Sequence, residues 1–149
     1  MKIALGSDHG GYNLKNEIIS YLKENGYETK DFGTYSTESC DYPDYALKVA
    51  EAVANKEFEF GILVCGTGIG ISISANKVPG IRAALCSDTF SAHATREHNN
   101  ANILALGERV VGPSLAIDIV KTFLNSKFEG DRHQRRIDKI SKIEEKYNK

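Results

Sequence analysis

Four groups of residues in this 149-residue chain are of types that could do chemistry together. The run CGTGIG, residues 65–70, sets Cys65 directly before Gly66, Gly68 and Gly70. Backbone N–H groups in a glycine turn that opens a helix can face a phosphate or an oxyanion, and the same positive end favours a thiolate. A purely structural turn rarely needs three such glycines, whereas close approach of a ligand to backbone does. SDHGG, residues 7–11, places Asp8 and His9 side by side ahead of two glycines. That pair could serve acid–base chemistry and anion contact; the competing role is a helix cap by Asp8 with His9 merely exposed.

The other two groups are more open. REHNNANIL, residues 96–104, offers His98 beside Asn99 and Asn100. A titratable ring among amide groups suits sugar chemistry, and it equally suits a structural histidine. Arg109 and the RHQRR run at 132–136 are basic. Arg132 and Arg136, at i and i+4, share one helix face and could hold a phosphate through paired N–H donors; a solvated charged surface is the alternative.

Several familiar motifs are excluded. GxGxxG fails because Ile71 stands at the third glycine, and no GxxxxGK[ST] loop is present. A cysteine phosphatase loop would need arginine at Ile71, and a receiver domain would need aspartate at Cys65. His93 and His98 are off the i, i+4 spacing of a helical zinc pair, so no metal is expected.

These groups need elements to position them, and the pattern supplies an alternation. Strand-like runs fall at KIAL (2–5), YETKDF (27–32), FGILVC (60–65), IRAALC (81–86) and ANILAL (101–106). Between them Leu14, Ile18 and Leu22 recur at helical spacing, as do Leu115, Ile119 and Phe123. Pro43 reads as a first-turn proline of a helix over 43–56, and Gly26 as a helix end. The expected fold is α/β: a Rossmann-like three-layer αβα sandwich on a five-stranded parallel sheet, with its site beyond the carboxyl ends of the strands. A C-terminal helical extension, about residues 131–147, carries Ile137, Ile140 and Ile143 as a narrow stripe to pack on this subunit or a second one. Residues 1–149 are expected to form one domain.

Composition narrows the partners. With 19 Lys and Arg against 20 Asp and Glu, nothing argues for nucleic acid or an anionic membrane surface. Cys40, Cys65 and Cys86 form neither a disulfide framework nor a zinc pattern, which fits a reducing compartment. The weakly polar stretch 61–75 falls short of the ~20 apolar residues that span a bilayer. A soluble cytoplasmic protein is expected.

Taken in order, SDHGG with Leu14 and Lys15, DYPDYA (41–46), CGTGIGISISANK (65–77), IRAAL (81–85), REHNNAN (96–102), LGERV (106–110) and RHQRR (132–136) resemble the ribose-5-phosphate isomerase B family. That family also holds the galactose-6-phosphate isomerase subunits. The resemblance runs essentially end to end. It implies interconversion of ribose 5-phosphate and ribulose 5-phosphate without metal or organic cofactor. It implies a homo-oligomer, a dimer or a dimer of dimers, whose sites are completed across the subunit interface. It assigns Cys65 as the base working through an enediolate, with Thr67 in support and the amides of Gly66, Gly68, Ile69 and Gly70 at the oxyanion. His98, helped by Asp8, would open the furanose ring. Asn99 and Tyr42 would contact hydroxyls, and His9, Arg109, Arg132 and Arg136 the phosphate. One branch of the family uses a glutamate where Ile71 stands, which leaves Cys65 as the base here. Two other readings are a hexose 6-phosphate or free-aldose isomerase, and a non-catalytic phosphosugar sensor.

Overall fold

The structure, a computed structural model, describes residues 1–148. Five strands, β1 (Lys2–Ser7), β2 (Glu28–Asp31), β3 (Phe60–Cys65), β4 (Ala83–Leu85) and β5 (Ile103–Gly107), alternate with five helices. These are α1 (Tyr12–Glu24), α2 (Tyr42–Ala54), α3 (Ile69–Ala75), α4 (Thr89–Asn99) and α5 (Pro113–Asn125), and α6 (Arg132–Tyr147) follows. The sheet order is β2-β1-β3-β5-β4 with every pair parallel. Parallel pairing requires each connection to cross back over a face of the sheet, so both faces become covered and the central strands read as unbroken apolar runs.

Side-chain alternation divides the core. Ile3, Leu5, Ile62, Val64, Leu104 and Leu106 face α1, α4 and α5, meeting Leu14, Ile18, Leu22, Ala92, Ile119 and Phe123. Ala4, Leu63, Cys65, Ile103 and Ala105 face α2 and α3, meeting Val49, Ala50, Val53, Ile71 and Ala75. Each large aliphatic buried this way contributes about 1.5–3 kcal/mol relative to exposure. Cys65 is thus the last residue of the second face, next to the loop that opens α3.

The alternation expected from sequence is present, with local corrections. The fully buried Leu14, Ile18 and Leu22 seat α1, and Gly26 ends it in the left-handed region at φ 82°. Pro43 lies in the first turn of α2 as expected, though the helix begins one residue earlier and ends at Ala54. α5 buries Ala116, Ile119, Val120, Phe123 and Leu124 rather than the expected Leu115, which is 41% exposed. The stripe continues by i+4 and i+3 from Ala116, and Leu115 falls outside it. β4 is half its expected length because the Arg82 N–H donates to the Asn102 side chain rather than to a neighbouring strand. On α6, Ile137 and His133 are buried while Ile140 and Ile143 stay exposed, so this subunit covers only the start of the stripe. No helix among the described residues is long and apolar enough to cross a membrane.

Candidate active site

The carboxyl edge of the sheet gathers most of the candidate residues. Asp8 follows β1 and is buried; its Oδ1 accepts the N–H groups of Gly10 at 2.9 Å and Gly11 at 3.2 Å. The capping role is therefore real, and it occupies one carboxylate oxygen. His9 is not merely exposed: its Nδ1 accepts the Cys40 N–H at 3.2 Å, which puts the proton of the neutral ring on Nε2 and makes that nitrogen a donor. Gly11 has a structural reason, since a Cβ there would stand 2.3 Å from the Val64 carbonyl oxygen.

Cys65 ends β3 and is 4% exposed. The Gly68 N–H donates to its Sγ at 3.1 Å. A backbone N–H on sulfur stabilises the anionic thiolate more than the thiol. The neighbourhood of the sulfur is fixed by the end of β5, where the Glu108 N–H donates to the Cys65 carbonyl at 2.9 Å and the Arg109 N–H to the Gly66 carbonyl at 3.0 Å. Glu108 also accepts the Leu14 N–H at 2.7 Å, tying the start of α1 to the end of β5. The N-cap residue Gly68 has no side chain to cap α3, and beyond the Gly68 N–H on Cys65 Sγ and the Ile69 N–H on Thr67 the first turn keeps N–H groups for a ligand. Thr67 is exposed, and its Oγ1 accepts the Ile69 N–H at 3.2 Å.

The glycines of this loop correct the expectation that only a ligand could require them. Gly68 sits at φ 79°, and a Cβ there would lie 2.5 Å from Leu85 Cδ1 and 2.8 Å from the Leu106 carbonyl carbon. A Cβ on Gly70 would meet the Tyr42 ring at 2.7 Å, and one on Gly66 would meet Arg109 Nη1 at 3.1 Å. The close neighbours are protein groups. Two of them, Tyr42 and Arg109, are themselves candidate site residues, so the glycines bring those side chains onto the loop.

The remaining candidates lie elsewhere. α4 leaves the carboxyl edge at Asp88 and runs 11 residues back to the amino edge, a length of about 16 Å. His98 and Asn99 are in its last turn. The Glu129 N–H donates to the Glu97 carbonyl at 3.0 Å, which brings the start of α6 to the same end. Arg132 and Arg136 are therefore near His98, exposed, and away from Cys65. Within one chain the candidate residues fall into two groups at opposite edges of the sheet. Asn99 lines a groove of about 590 Å³ with Arg82, Ile140, Ile143 and Tyr147, and no carboxyl-edge candidate reaches it.

His98 has partners that the sequence reading passed over. Its ring stacks on His133 with centroids 4.4 Å apart and planes 16° apart. Glu129 Oε1 lies 3.7 Å from His98 Nε2 and 3.5 Å from His133 Nε2. Burial, then the charges of Arg132 and His98, hold His133 below the ordinary imidazole range. The third cysteine, Cys86, is pushed up to about 11 by burial and by Asp88, so it stays a thiol at neutral pH.

Comparison with known proteins bears on this arrangement. The family model described as Ribose/Galactose Isomerase matches residues 3–140. The chain is 54% identical over 147 residues to ribose-5-phosphate isomerase B of Escherichia coli (strain K12), covering 99% of each. It superposes on the structure of Clostridium thermocellum ribose-5-phosphate isomerase B with a TM-score of 0.99 at 64% identity, covering 99% of this chain and 100% of that one. A Mycoplasma genitalium ribose-5-phosphate isomerase B with bound ribulose-5-phosphate gives 0.92 at 46% identity, covering 97% and 96%.

Proposed function

Because the chain belongs to the ribose/galactose isomerase family, we propose that it interconverts ribose 5-phosphate and ribulose 5-phosphate at a site formed by two copies of the chain. One copy supplies the carboxyl-edge half with Cys65; the other supplies the amino-edge half with His98. The length of α4, about 16 Å, supports this division, since it carries His98 to the end of the helix remote from the carboxyl edge where Cys65 lies.

The reaction begins on the furanose. His98 of one copy donates a proton to the ring oxygen as the C1–O4 bond breaks, and Asp8 of the other accepts the proton of the C1 hydroxyl. The product is the open aldehyde, and both groups then re-equilibrate with solvent. Cys65 as thiolate removes the C2 proton; the electron pair moves to O1 as the enediolate forms, and the same sulfur returns a proton to C1. Charge developing on O1 is met by N–H groups of the 66–70 loop, of which those of Gly68 and Ile69 now rest on Cys65 Sγ and Thr67 Oγ1, with Thr67 in support. The C2 hydroxyl proton transfers to O1, leaving the ketone. His9 Nε2, Arg109, Arg132 and Arg136 bind the phosphate, while Tyr42 and Asn99 take hydroxyls. That distant charge fixes the sugar against the base.

The observation that carries the mechanism is the Gly68 N–H on Cys65 Sγ, because it sets a backbone donor on a buried sulfur at the start of α3. The test is ribulose 5-phosphate formation, with hexose 6-phosphates run beside it, together with solvent exchange of the substrate C2 proton. Turnover and exchange that both vanish in Cys65→Ala support the reading. Binding without exchange in the intact protein would identify a sensor instead.

A further inference from the structure

The amino-edge half holds a grouping with no assigned role. Glu129 and His133 enclose His98 from two sides: His133 lies parallel to its ring, and the Glu129 carboxylate faces the Nε2 atoms of both rings. His133 is 5% exposed, and its Nε2 has no hydrogen-bond partner. A buried imidazole with an unpartnered nitrogen is costly unless its place in the structure requires it. Stacked rings 16° apart aim their nitrogens in parallel rather than at one point, so the trio does not form a tetrahedral metal site. His98 itself is 46% exposed on its side chain, in the last turn of α4, where a free imidazole would sample several rotamers.

We infer that Glu129 and His133 are positioning residues for His98 in ring opening. His133 fixes the plane of the His98 ring, and Glu129 fixes which edge of that ring turns inward. The Glu129 N–H on the Glu97 carbonyl, 3.0 Å, holds the carboxylate in register with the last turn of α4. His133 suits this task because burial and its cationic neighbours keep it uncharged, so it stacks on His98 without adding a second positive charge. This inference rests on the assignment of His98 to ring opening.

The two steps of the reaction separate the outcomes. Ribulose 5-phosphate cannot close to a furanose, since its 5-oxygen carries the phosphate. Exchange of its C1 proton with deuterated solvent therefore needs Cys65 but no ring opening, whereas conversion of ribose 5-phosphate needs both. Glu129→Gln and His133→Ala should lower conversion about tenfold to a hundredfold, the size of effect that a misplaced group produces, while exchange continues at the parent rate. His133→Phe, which keeps the stack, should restore most of the loss. Full conversion in both Glu129→Gln and His133→Ala, with His98→Asn impaired, would overturn the inference and leave His98 in place. Equal loss of exchange and conversion would also overturn it. Full conversion in His98→Asn would instead remove the assignment on which it rests.

Discussion

At the carboxyl edge of the sheet the chemistry is set by backbone: an amide on Cys65 Sγ, two amides on Asp8 Oδ1, and a loop whose glycines let Tyr42 and Arg109 close in. At the amino edge it is set by side chains: a stacked histidine pair, one carboxylate, and two exposed arginines on a helix face. Backbone in a packed sheet end is fixed by the fold, so the first edge can hold a base and an oxyanion site without outside help. Side chains on exposed helix ends gain definition from what they pack against, so in the proposed site the second edge is completed opposite a partner. In the proposed mechanism the first edge alone carries the proton transfer at carbon, while ring opening and phosphate binding draw on both edges.

Each edge can be broken separately. Cys65→Ala should cost about 10⁴-fold in kcat, the upper range for loss of a positioned base, and should abolish proton exchange as well. Residual exchange with no conversion would move the base elsewhere. Replacing Arg132 and Arg136 together by alanine should act mainly on KM, raising it about 10- to 100-fold for a charge-assisted contact worth about 1.5–3 kcal/mol. A kcat loss at unchanged KM would assign them to the chemistry instead.

Gly68→Ala tests the backbone definition of the first edge. The added Cβ meets Leu85 and Leu106 at a left-handed φ, and the protein should lose about 1–3 kcal/mol, seen as a lowered Tm. An unchanged Tm would mean the loop is looser than described.

The smallest effect is expected at Cys86, which is buried just after β4 as Cys65 is at the end of β3, but without an amide on its sulfur. Cys86→Ser should leave turnover unchanged. Because its folded pKa is raised from 9.0 to about 11, the stability it contributes is full below pH 9 and is lost as pH rises toward 11. Chemical denaturation across that window should show a shallower loss in Cys86→Ser.

The parallel sheet and its strand-end motifs were legible from the alternation of apolar runs with helical spacing, and FGILVC is β3 residue for residue. So was the start of α6, from the change in character before RHQRR. The separation of His98 from Cys65 was also within reach, since a helix after β4 must return to the amino edge before β5 begins. What could not be read were contacts that depend on chain segments far apart in sequence. Glu108 reaches Leu14 across 94 positions, and nothing local marks it. Glu129 lies in a connecting segment, and His133 sits among arginines that drew attention by charge. The reason for the loop glycines lay in Tyr42, Arg109 and Leu106, which no window around residue 68 contains.

In the proposed mechanism one chain holds half a site. The direct measurement mixes Cys65→Ala with His98→Asn, each inactive alone, under conditions that allow subunits to exchange. Random reassortment into two-fold dimers makes about half of them mixed, each with one intact site of two, so about a quarter of the parent activity should return. If the mixture stays as inactive as its components while subunit exchange is verified, the halves do not meet across an interface and the account is wrong.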